Sequence, residues 1–132
     1  MKLKISPDEI NERKPIWVAL SEFYLGTELT PDDFKIIAKT FRQSKFSLDE
    51  IRHIDKYEVF PVLQTNLLNI AGEWAMFPEN WLIEKITKRI RKRNWFNKIM
   101  INIFHWKFRW MLDDKWEKVT EEYKKLPPTS IK

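Results

Sequence analysis

Apolar positions recur at helical spacing along most of the chain, and each stretch carries its own start or stop signal. The stretch 69–95 organises the rest. Pro78 predicts a helix start, because its φ is preset and the N–H it lacks would be an orphan in a first turn. Glu79 adds negative charge at the positive dipole end. Trp81, Leu82, Lys85, Ile86 and Arg89 follow on a helical period, with Ile83 and Ile90 beside them. One face of this helix is apolar and another strongly basic.

Upstream, Ser6-Pro7 with Asp8 and Glu9 predicts a short polar helix, and Pro15 is expected to open the first core helix, to about Leu25. Trp17, Leu20 and Tyr24 form its stripe, widened by Ile16 and Phe23, and Gly26 ends it. Thr30 caps a second helix with Pro31 first and Asp32 and Asp33 at the dipole. Phe34, Ile37, Ala38 and Phe41 make its buried face. Ser47 and Glu50 form a capping box, stapled by Phe46 and Ile51, for a third helix that carries Leu48, Ile51 and Ile54. Pro61 is expected to kink or end that helix near Phe60, with Val62–Ile70 continuing toward Gly72.

The segment Trp95–Leu112 reads two ways. Lys98, Asn102, His105 and Arg109 line one narrow polar stripe of a helical wheel, and nearly everything else is apolar. Such a helix is normally buried. Phe104–Trp110 also alternates apolar and polar, which is a strand signature. The length of the run favours a helix, central in the fold, with its polar stripe forming the exposed back or else lining a groove. A membrane span is excluded, because Lys98, Lys107 and Arg109 would each cost about 2.5–3.5 kcal/mol near the bilayer centre. Asp113 would cap a last helix with Trp116, Val119, Tyr123 and Leu126 on its stripe. Pro127-Pro128 stops it before a loose tail, 127–132. The whole predicts an all-α fold, a single compact bundle of about six or seven helices spanning 1–132.

Composition narrows the chemistry. Aromatic residues make up 14% of 132 residues, enough core material to set aside intrinsic disorder. The absence of cysteine removes disulfides, thiolate metal sites and a cysteine nucleophile. The N-terminus has no apolar signal-peptide region, so cytoplasm is the expected compartment. The net charge of +5 is uneven. Residues 1–66 carry −1 and residues 67–132 carry +6, which favours an acidic partner surface, nucleic acid or anionic lipid.

No catalytic constellation emerges. His53 and His105 lack motif partners, and two glycines cannot build a phosphate loop. Asp32-Asp33 and Asp113-Asp114 are explained by helix capping. No cofactor or metal is implied. Glu73, between Gly72 and Trp74, needs a positive partner, backbone N–H groups or solvent. The basic run Lys88–Arg93 is either the solvated end of a helix or a contact for phosphates or an acidic protein. The residues expected to touch a partner are Arg89, Arg91, Lys92, Arg93 and Trp95, with Lys98, Asn102, His105 and Arg109.

Trp17, Leu20, the Glu28-Leu29 corner, Ser47–Ile51 and Asn66–Leu82, above all the Gly72-Glu73-Trp74 turn followed by Trp81-Leu82, resemble a family of small bacterial helical domains of unknown function. The resemblance covers about 13–95. It implies bacterial origin and a stand-alone all-helical domain; proteins of that size and class are often immunity proteins that bind and block a toxin. The expectation is therefore a non-enzymatic binding protein, most plausibly of the immunity type. The alternatives are a nucleic-acid-associated protein using Lys88–Arg93 and an enzyme built on Glu73 and His105.

Overall fold

A computed structural model describes residues 5–25, 29–67, 77–92 and 95–126, without the side chains of 65–67 and 95–97. In chain order it holds α1 (Pro7–Ser21) running into a 3-10 turn (Glu22–Tyr24), α2 (Pro31–Gln43), α3 (Leu48–Ile54), a π turn (Asp55–Val59), α4 (Phe60–Leu67), α5 (Glu79–Lys92) and α6 (Trp95–Lys125). The fold is all-α, with no strand among the described residues, and Phe104–Trp110 is helical. Since α3, the π turn and α4 form one unbroken rod, the described chain makes five rods, not six or seven.

Two of the expected boundaries are absent for physical reasons. Ser6 and Glu9 close a capping box at the head of α1, and the helix then runs through Pro15 instead of starting there. Pro15 is exposed, and its turn is held by the burial of Ile16 and Trp17 immediately after it. Asp113, likewise, caps nothing: it lies inside α6, which fuses the aromatic segment to the last helix. The Thr30–Asp33 and Ser47–Glu50 capping boxes form as expected. Pro78 sits one position outside α5, its carbonyl accepting the Leu82 N–H at 2.9 Å. Gly26, the turn at Gly72–Trp74 and the tail 127–132 lie outside the described residues.

Pro61 does not end its helix. A proline removes one i→i−4 hydrogen bond and crowds the carbonyl four residues back, here that of Tyr57. The backbone answers with the wider π turn: the Phe60 N–H bonds to the Asp55 carbonyl, five residues back. The rod therefore passes Pro61 unbroken, and the π turn packs against α1, α5 and α6.

The remaining packing follows the apolar stripes. Phe34, Ile37, Ala38 and Phe41 of α2 are buried, and α6 lies along them. Trp116 anchors that contact, edge-on to Phe23 at 5.5 Å and stacked on Phe41 at 5.7 Å. On α5, Leu82, Ile86 and Ile90 face inward. Trp81 is only partly buried, stacked on Phe77 with ring centroids 6.1 Å apart.

Burial sets the expected order of two truncations on α5. Leu82→Ala should cost about 2–5 kcal/mol. Trp81→Ala should cost less, about 2 kcal/mol, because the ring is only partly buried. Urea melts of the two variants check the order; a larger loss at Trp81 would reverse it.

Candidate functional site

The residues expected to touch a partner fall on two separate surfaces. Arg89, Arg91 and Lys92 are exposed at the basic end of α5, and Arg91 and Lys92 line a groove together with Lys14 of α1. Arg93 and the Trp95 side chain lie outside the described residues. Lys98, Asn102 and His105 lie on α6 where it meets the rod, and Arg109 lies further along the same helix.

The orientation of α6 departs from expectation. Its buried seam is Ile101, Phe108, Leu112, Trp116 and Val119, and His105 falls on the same seam. The polar stripe borders that seam and does not oppose it. The Tyr57 hydroxyl donates to Asn102 Oδ1 at 2.9 Å, and Lys98 Nζ sits 5.5 Å from the Tyr57 ring centre. His105 meets the edge of Phe60 at 5.1 Å. Arg109 lies outermost, 3.9 Å from Asp113. What points away from the fold is apolar: Ile99, Ile103, Trp106 and Trp110, spaced i, i+4, i+7 and i+11. Trp106 and Trp110 are each 72% exposed. The N-terminal half of α6 is thus not a central core helix; it covers the fold on one side and presents an unpartnered aromatic face on the other.

Behind this helix lie two buried carboxylates. Asp55 accepts the Tyr24 hydroxyl at 2.6 Å on one oxygen and the Trp116 indole N–H at 2.9 Å on the other. Glu58 accepts the Trp17 indole N–H at 2.8 Å and pairs with Arg13 at 3.3 Å. Each acid is therefore bound by donors from other elements, as a buried charge requires. The signal for them was present: Ile51, Ile54, Asp55 and Glu58 are spaced i, i+3, i+4 and i+7, so the two acids stand in core positions. Trp17 and Tyr24, at i and i+7 on the first helical stretch, supply matching donors.

A cavity of about 320 Å³ opens beside Asp55, lined by Arg52, His53, Lys56, Tyr57, His105 and Trp116 among others. Burial pushes the Asp55 carboxyl up to about 6, against its hydrogen bonds from Tyr24 and Trp116 and the charge of Arg52. Burial likewise pushes the His105 imidazole down to about 4, helped by Lys56, Arg109 and Arg52 and opposed by Asp113. Asp55 has both oxygens engaged, so it is poorly placed to act as a base. No group of three or more metal-ligating side chains occurs among the described residues.

The sequence profile of a family described as Domain of unknown function (DUF7079) matches residues 11–122. The chain belongs to this family. No curated protein and no solved structure gives a match. The profile reaches further than the 13–95 of the resemblance read from the sequence: it takes in most of α6, with Trp106, Trp110 and Trp116.

The two shifted groups pull stability in opposite directions as the pH falls. The folded Asp55 carboxyl lies above its ordinary 3.8, so its favourable contribution is present at low pH and is lost as pH rises through about 6. Folded His105 lies below its ordinary 6.5, so its contribution is present above that value and is lost as pH falls toward about 4. Relative to the wild type, Asp55→Asn should lose stability on acidification across this window, and His105→Gln should gain it. Urea midpoints at stepped pH values test both signs; identical pH profiles for the two variants would refute the assignment.

Proposed function

We propose that this chain is a non-enzymatic binding protein that docks an acidic protein partner through the outer face of α6, as an immunity protein occludes a toxin. The observation that carries this reading is the pair Trp106 and Trp110, 72% exposed on one helix face with Ile99 and Ile103. Contiguous exposed apolar surface of this kind marks interaction sites, and tryptophan and arginine dominate binding energy at interfaces.

Charge argues for the partner. Between Glu84 and Asp113 the sequence holds nine Lys/Arg and no Asp or Glu, and Lys98, Lys107 and Arg109 flank the aromatic face as exposed cations. A second copy of the chain would set those cations against their equivalents, an unfavourable pairing. An anionic membrane fits less well, because the same helix phase continues into exposed Glu117 and Glu121. No described helix is long and apolar enough to cross a membrane. A protein surface, patterned in both charge and shape, suits the sequence of apolar, basic and acidic positions along α6.

The first candidate partner is the product of a neighbouring reading frame, titrated against the purified chain. Trp106→Ala and Trp110→Ala should each weaken that complex by about 30-fold, as hot-spot residues do, while leaving the melting temperature nearly unchanged because both rings are in water. Affinity should fall only modestly between about 50 and 200 mM salt, where phosphate-dominated binding loses orders of magnitude. Binding indifferent to both tryptophans, a steep salt loss with nucleic acid, adsorption to anionic vesicles, or a dimer in sedimentation that the tryptophan changes dissolve would each overturn the reading.

A further inference from the structure

We propose that the groove between α1 and α5, away from the α6 face, is a binding site for an oxyanionic group, phosphate or carboxylate. Four cations line it: Lys14 from α1, and Lys88, Arg91 and Lys92 from α5. One carboxylate, Glu84, lies among them, so the groove carries a surplus of three positive charges. None of the four cations makes an ion pair with another described residue. The cavity holds about 550 Å³, room for a phosphate or carboxylate with a short organic body against Ile10 and Ile83.

A second observation at the same place is independent of the charges. Thr87 lines the groove, is 8% exposed, and its buried hydroxyl has no hydrogen-bond partner among the described residues. Leaving a buried hydroxyl unsatisfied is unfavourable, and such groups call for a water, ion or ligand. A guanidinium fork and three ammonium groups are donors that oxyanions use, with arginine able to bind two oxygens at once, and Thr87 adds a hydroxyl among the lining residues. The C-terminal dipole of α5 opposes an anion here, but it amounts to about half a charge, against the groove's net of three.

Thermal unfolding of the full chain tests the site, with sodium phosphate compared to sodium chloride at matched ionic strength and sodium citrate as a carboxylate arm. Phosphate should raise the melting temperature in a saturable way, since a ligand that binds only the folded state stabilises it. Lys88→Ser with Arg91→Ser should melt as the wild type does in chloride, because both side chains are exposed, and should lose the phosphate increment. That control separates binding from the general stabilisation by excluded salts. Thr87→Val should shift the two readouts oppositely: a higher melting temperature in chloride, because an unsatisfied hydroxyl is gone, and a smaller phosphate increment. An increment with phosphate alone assigns the site to phosphoryl groups, and one with citrate as well to oxyanions in general. No saturable increment with either anion, or an equal one in the Lys88/Arg91 double variant, would overturn the proposal.

Discussion

The burial of two carboxylates on one turn of one rod is the constraint on which the rest of this fold depends. An unpaired charge in an apolar interior is too costly to keep, so Asp55 and Glu58 require donors at fixed distances from elsewhere in the chain. Asp55 draws them from Tyr24 and from Trp116, separated from it by 31 and 61 residues. Glu58 draws them from Trp17 and Arg13 on α1. Apolar burial is non-directional, whereas these short polar contacts are directional and tie α1, the rod and α6 together. A buried ion pair such as Arg13–Glu58 seldom adds much net stability; what these contacts impose is geometry.

Pro61 takes part in that specification. By disfavouring the ordinary i→i−4 bond to Tyr57, it makes a wider turn the easier path just upstream. The wider turn is where Asp55 and Glu58 sit, and it spreads them further around the rod than an α-helix would. One faces the aromatic wall of Tyr24 and Trp116, the other the indole of Trp17. A residue expected to kink or end a helix acts here as a local change of pitch, because the surrounding packing holds the helix together on both sides.

What could be read from the sequence was local. The boxes at Thr30–Asp33 and Ser47–Glu50 and the α2 face of Phe34, Ile37, Ala38 and Phe41 depend on neighbours within a turn or two, and they stand where the spacing puts them. The boundaries at Pro15 and Asp113 were misread for the opposite reason, whereas at Pro61, expected to kink or end the helix, the pitch changes and the helix goes on. Each residue does disfavour or cap a helix in isolation, and in each case packing from distant residues outweighs that preference. The buried acids were legible as carboxylates at core spacing, but recognising them meant matching them to indole and phenol donors far along the chain. The direction of α6 was not legible at all. A helix apolar around most of its circumference offers several faces of similar hydrophobicity, and the choice among them is made by Trp116 reaching Asp55, well outside the ambiguous segment.

That choice explains why so much apolar surface remains outside. Once Trp116 is fixed against Asp55, Phe23 and Phe41, the 3.6-residue period dictates which residues further up the helix point inward: Leu112, Phe108, His105 and Ile101. A histidine therefore enters the seam, where burial keeps it neutral, while Trp106 and Trp110 are carried round to solvent. Full burial of one such ring would remove about 150–250 Å² from water, worth roughly 4–6 kcal/mol at 25 cal/mol per Å². The fold forgoes most of that gain at two positions. On the binding reading proposed above, this surface is kept for association, where it must first offset lost translational and rotational freedom. Two adjacent tryptophans on a rigid helix supply that surplus with little ordering cost, because the helix beneath them is already held by its buried seam.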